Sequence, residues 1–222
     1  MKVLMFGASG MVGQGVLREC LLDPDVETVL SVARSSLGRS HPKLQELVVP
    51  DLTLLEPVAG RLRGYDACFF CLGVSSAGMS ESAYRAVTFD LTVRVGETLA
   101  SLRAGTLTFV YVSGAGTDST EHGRAMWARV KGATENALLR MPFRAAYMFR
   151  PALIQPRYGI RSKTRSYRVL YTVLWPFLPL LKRLAPNSVT TTDRVGQAML
   201  QVVKHGAPAR LVTTGDINRL AA

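Results

Sequence analysis

Residues 7–13 read GASGMVG and stand between a short apolar run at 2–6 and a helical pattern that opens at Met11. The three glycines at this junction, Gly7, Gly10 and Gly13, each have a separate physical job. One makes a tight turn, one lets backbone approach a pyrophosphate, and one allows helix and strand to pack closely. A helix that starts directly behind such a loop offers unpaired amide N–H groups to an anion. Ala8, Ser9, Met11 and Val12 fill the places between the glycines and belong to the same cradle. A chain that opens this way is expected to form a strand, loop and helix that hold a dinucleotide; the alternative is a turn that serves packing alone.

The rest of the sequence keeps to this scheme. Short apolar runs at 2–6, 28–34, 46–50, 66–71, 107–112, 145–150 and 210–213 alternate with helical patterns at 11–22, 80–103, 124–140 and 193–204. The runs mostly lack polar alternation, as parallel strands covered on both faces do. This order predicts a doubly wound parallel sheet in a single α/β domain over residues 1–222. Between the second and third strands only SSLGRSHPK remains, with Gly38 and Pro42. A parallel crossover helix usually needs about a dozen residues, so a loop is expected there. From about 155 to 192 the pattern loosens into a basic stretch and a proline-broken apolar one, which predicts a small lid. One more helix and strand then complete the sheet.

Charge and cysteine usage narrow the partners. The chain holds 27 Lys and Arg against 16 Asp and Glu, a net charge of +11, which favours anionic ligands. No zinc-finger, aromatic RNA-binding signature or helix-turn-helix accompanies the basic excess, so nucleic acid is not the expected partner. Cys20, Cys68 and Cys71 form no disulfide framework, which fits a reducing compartment and predicts the cytoplasm. In CFFC the two thiols stand three apart on a strand and face opposite ways, the arrangement of structural cysteines. With three scattered His and three Cys, no metal site is expected. The run at 2–6 is too short for the roughly 7–15 apolar residues of a signal peptide. The apolar stretch at 169–181 is broken by Pro176 and Pro179 and falls short of the roughly 20 residues that span a bilayer. The wider segment at 167–184 could pack as part of the chain's own core or lid, line an apolar pocket, cover a second copy in a homodimer, or rest on an anionic membrane surface.

Cofactor choice is read from the end of the second strand. Arg34 stands 21 residues after Gly13, where an acidic residue would bind the ribose of NAD and an Arg pairs with the extra phosphate of NADP. NADP(H) is therefore expected ahead of NAD, with Ser35 and Ser36 adding hydroxyl donors; a solvated surface Arg34 is the alternative. Asp51 and Leu52, after the third strand, are placed to face adenine. Leu72, Gly73 and Val74, after the fourth, would pass beside the adenosine and the central ribose.

Taken in order over residues 1–160, GASGMVG, VARSS, CFFCLG, FVYVSGAG, RVKGATENAL and FRPALI resemble the short-chain dehydrogenase/reductase superfamily, in particular its atypical epimerase-like and Tat-interacting-protein-like members. The resemblance implies a Rossmann-like fold and a catalytic Ser, Tyr and Lys, the Lys four residues beyond the Tyr. Ser113 matches the Ser, Lys131 matches the Lys, and Trp127 stands where the Tyr is expected. An indole N–H donates a hydrogen bond but does not ionise, so Trp127 could position a carbonyl without supplying a proton. Lys131 would bind the nicotinamide ribose. Arg150, Pro151, Ala152 and Leu153, after the sixth strand, would touch the cofactor, while Arg157 or Arg161 could meet a phosphate. His122 and Tyr158 are the next sources of a proton, with Asp118 and Glu121 nearby; Tyr84 and Tyr111 rank behind them, one on a helix and one on a strand. Three functions stay open: an NADP(H)-dependent oxidoreductase for a small carbonyl or sugar-like substrate, an NADP(H)-binding sensor without turnover, and a membrane-surface protein that uses the segment at 167–184.

Overall fold

The computed structural model describes residues 1–102, 105–160 and 186–222. Nine strands and six helices fall within them: β1 (Lys2–Phe6), α1 (Met11–Leu22), β2 (Thr28–Ala33), β3 (Leu44–Val48), β4 (Ala67–Phe70), α2 (Glu81–Arg85), α3 (Leu91–Leu102), β5 (Thr108–Val112), α4 (Met126–Arg140), β6 (Ala145–Arg150), β7 (Leu153–Gln155), β8 (Val189–Thr191), α5 (Thr192–His205), β9 (Leu211–Thr213) and α6 (Thr214–Leu220). Seven strands form one parallel sheet in the order β3-β2-β1-β4-β5-β6-β9. The order reverses between β1 and β4, and an open α/β sheet binds ligands in the crevice at such a switch point.

Strand alternation explains why both faces are covered. On β1, Val3 and Met5 pack with α1 and α5, whereas Leu4 and Phe6 pack with α3 and α4. All four side chains are fully buried. Cys68 and Phe70 join the second layer and Phe69 the first, while the Cys71 side chain packs against the first layer. The two thiols of CFFC thus face opposite layers, and all three cysteines are free.

Differences from the sequence expectation are local. Residues 34–43 contain no helix, as expected, but β3 starts at Leu44 because Val29 N–H bonds the Lys43 carbonyl and sets the register there. The helix expected over 80–103 is broken by a π turn at Ala86–Asp90, where the Leu91 N–H reaches back five residues to the Ala86 carbonyl. A 3-10 turn at Glu56–Leu62, the small parallel pair β7–β8, and the capped helix α6 carry short or mixed patterns that apolar periodicity does not reveal. The centre of the expected lid and the whole of 167–184 lie outside the described residues. Among those described, no helix is long and apolar enough to cross a membrane.

Candidate functional site

The loop between β1 and α1 is shaped by close backbone approach. Gly7 has a φ of +82°, and a Cβ there would stand 2.6 Å from the Cys71 carbonyl carbon. At Gly13 a Cβ would stand 2.0 Å from the Gly7 carbonyl oxygen, so helix and loop touch in a way only glycine permits. Gly10 caps α1 without a side-chain hydrogen bond, and its first turn holds no acidic residue. The amides of that turn therefore face the cleft beyond the sheet with no intrahelical acceptor, as an anion site requires.

That cleft has a volume of about 580 Å³. It runs along the C-terminal ends of β1, β4, β5 and β6. Of the residues expected to hold cofactor, Gly7, Ser9, Gly10, Met11, Val12, Leu72, Gly73, Val74, Pro151 and Ala152 line it, and so do Ser113, Trp127 and Lys131. Ala8 and Gly13 are buried in the loop that forms the floor, and Leu153 is half-buried on β7. Arg34 and Ser35 are exposed at the end of β2. The other placements depart from expectation. Leu52 is 5% exposed and packs in the apolar core, so it does not turn toward the cleft. The Asp51 carboxylate accepts hydrogen bonds from the Thr53 amide and hydroxyl at 2.9 and 2.7 Å, which hold it below the usual carboxylate range.

Lys131 and Ser113 sit side by side, but their bonds differ from those the resemblance implies. The Lys131 ammonium donates to the Ser113 backbone carbonyl, and burial lowers this amine to about 8, with Glu135 opposing the shift. The Ser113 hydroxyl points away from the cleft, donating to the buried carboxylate of Glu135 and lying 3.1 Å from the Phe149 carbonyl oxygen. Arg150 closes the same carboxylate from the other side and reaches Ser119 Oγ at 2.5 Å. Its guanidinium is committed there and does not line the cleft, in contrast to the cofactor contact expected of it. Glu135 escaped the sequence reading. The sequence offers one signal for it, a Glu four residues beyond Lys131 on the same helix face.

Trp127 packs over Gly116, where a Cβ would come within 3.2 Å of the indole. The other sources of a proton lie elsewhere. His122 is exposed in the loop before α4, Tyr158 is 56% exposed beneath the Arg18 guanidinium, Asp118 holds its own loop through Thr120 and Gly123, and Glu121 accepts from Asn136. None of the four lines the cleft. Tyr84, ranked behind them, does. Among the described residues no three His, Cys, Asp or Glu side chains come together in a metal-binding group.

No family model matches the chain. It is similar to the mitochondrial protein FMP52 of Chaetomium globosum, with 25% identity over 154 residues, 68% of this chain and 65% of that protein. Similarity to fmp52-2 of Aspergillus terreus, also named mitochondrial, runs at 25% identity over 215 residues, 95% of this chain and 87% of the relative. These relatives overturn the cytoplasmic expectation. Three free thiols fit any compartment that keeps thiols reduced, so cysteine usage had no power to choose between them. Among solved structures, the UDP-glucuronic acid 4-epimerase of Bacillus cereus in complex with NAD superposes with a TM-score of 0.67 at 11% identity, over 96% of this chain and 77% of the epimerase. With its parallel sheet, its glycine loop at the switch point and these neighbours, the chain has the Rossmann-like α/β fold of solved structures that hold NAD, an epimerase among them.

Proposed function

We propose that the protein is an NADP(H)-dependent oxidoreductase of the atypical short-chain type, acting on a small carbonyl or sugar-like substrate. One observation carries the reading: the glycine loop and Lys131 line a single cleft at the switch point of the sheet. The amides of the first turn of α1 would take the pyrophosphate. The Lys131 ammonium has donors beyond the one spent on Ser113 and would take the nicotinamide ribose hydroxyls. Arg34, exposed at the end of β2, supports NADP over NAD by pairing with the adenosine phosphate. The bound dinucleotide supplies or accepts the hydride; the protein positions the carbonyl, excludes water and manages the proton.

A sensor without turnover is the second reading, and the pair of Trp127 and Ser113 favours it. The one residue cannot ionise, and the hydroxyl of the other is turned to Glu135. Fluorescence titration of the purified protein with NADPH and NADH, followed by a screen of aldehydes, ketones and nucleotide sugars, separates the readings. Absence of NADPH binding would sink both.

A further inference from the structure

Reducing a carbonyl requires a proton at the oxygen, and the indole of Trp127 has none to exchange. Among the described side chains that line the cleft, Cys71, Tyr84 and Lys131 can ionise. Burial pushes the Cys71 thiol up to about 12, which leaves it inert. Lys131 spends one donor on the Ser113 carbonyl, and the proposed function assigns its remaining donors to the nicotinamide ribose. Tyr84 is the phenol that remains. It is 2% exposed yet forms part of the cleft wall.

The position of this ring follows from three neighbours. Helix α2 packs against α4, which carries Lys131, and an ion pair of 2.6 Å between Glu81 and Arg129 pins the two together. Burial, and after it the neighbouring Tyr84, hold the Tyr111 phenol well above its ordinary range. Tyr111 precedes Ser113 by two residues on β5, so Tyr84 is set against the strand end and the helix that build the site. The π turn at Ala86–Asp90 begins two residues after Tyr84. Such turns rotate the side chains on either side of them and concentrate at functional sites.

We propose that Tyr84 is the proton-exchanging phenol of this cleft, supplied from the helix after β4 in place of a residue at position 127. The proposal rests on the oxidoreductase reading. As the carbonyl carbon gains a hydride from NADPH, the π pair of the C=O bond moves to oxygen, and the Tyr84 O–H bond breaks as its proton passes to that oxygen. The alcohol departs, and the phenolate regains a proton from water. Lys131, on the same cleft wall and on the helix against which α2 packs, supplies a positive charge that favours the phenolate. The reverse direction runs the same steps backward.

The test uses full-length protein labelled with 3-fluorotyrosine, the Tyr84 resonance being identified by its loss in Tyr84→Phe, a variant that keeps the ring and the packing. We expect that fluorine resonance to move when NADPH saturates the protein. Tyr84→Phe should bind NADPH as the parent does while kcat for carbonyl reduction falls about 100-fold or more, the usual contribution of general acid catalysis, with KM little changed. A Tyr84 resonance indifferent to NADPH, or undiminished reduction by Tyr84→Phe, overturns the proposal. A parent protein that binds NADPH but reduces no carbonyl sinks the oxidoreductase reading itself, and the proton role falls with it.

Discussion

The Arg150 Nε lies 3.1 and 3.2 Å from the two oxygens of a Glu135 carboxylate that has no exposed surface. With the Ser113 hydroxyl on the same carboxylate, this buried pair ties β6 and α4 to the strand end where the cleft begins. It also fixes the chemistry of Ser113. The single hydroxyl hydrogen is spent inward, so donation to a substrate carbonyl would require breaking the bond to Glu135. Ser113 and Lys131 therefore share a site without sharing the roles they have in a Ser-Tyr-Lys set.

Breaking the pair should be costly. Arg150→Leu leaves a buried carboxylate without its partner, and removal of one member of such a pair typically costs about 3–5 kcal/mol. Equilibrium unfolding in urea should show this loss. The double variant Glu135→Leu with Arg150→Leu should recover much of it, because no charge is then left stranded. A single variant as stable as the parent would mean that solvent reaches the carboxylate after all.

Gly13 tests the loop. An added methyl at 2.0 Å from the Gly7 carbonyl oxygen forces helix and loop apart, and such overpacking costs about 1–3 kcal/mol. Gly13→Ala should also displace the first-turn amides of α1, so NADPH affinity should fall more steeply than stability. Calorimetric titration beside a thermal melt measures both.

Much of this was legible in the sequence, for physical reasons that differ by residue. The buried strands of a parallel sheet read as plain apolar runs, so β1 and β6 have the very boundaries expected, and glycines that only close approach explains mark the loop. Glu135, Arg150 and Tyr84 were harder, because their roles arise between elements distant in sequence. Arg150 at a strand end carries no sign that its partner is 15 residues earlier on a helix. Tyr84 looked like one more residue of a long helix, and only the π turn and the packing of α2 on α4 bring it to the cleft. Trp127 and Lys131, by contrast, stand one helical turn apart on α4, so their spacing in the sequence already puts them on one wall.

Arg34 should govern the choice of cofactor. Hydrogen bonds to charged groups contribute about 1.5–3 kcal/mol, so Arg34→Ala should weaken NADPH binding roughly 10-fold to 100-fold while leaving NADH binding unchanged. Parallel fluorescence titrations read the ratio directly. Equal effects on the two cofactors would remove the argument for NADP.

Lys131 gives the site a pH dependence. Its amine titrates at about 8 because burial disfavours the ammonium form. The charged form is the better partner for ribose hydroxyls, so NADPH affinity should hold below pH 8 and decline as the pH rises through it. Lys131→Arg keeps its charge throughout this range and should flatten the profile, whatever it does to the absolute affinity. A profile that declines equally in both proteins would assign the titration to another group.

Trp127→Tyr places a phenol at the position where the sequence resemblance implies one. The indole packs over Gly116, so the smaller ring should cost on the order of 1 kcal/mol in stability from the gap it leaves. In the parent background the proposal for Tyr84 requires that the substitution change carbonyl reduction little. Combined with Tyr84→Phe it should restore a large part of the lost kcat, because the new phenol stands one helical turn from Lys131, whose ammonium favours its ionised form. Steady-state kinetics of the four proteins in this cycle decide the matter. Should Trp127→Tyr raise kcat by the same factor in both backgrounds, the two positions act independently and Tyr84 is not the residue being replaced.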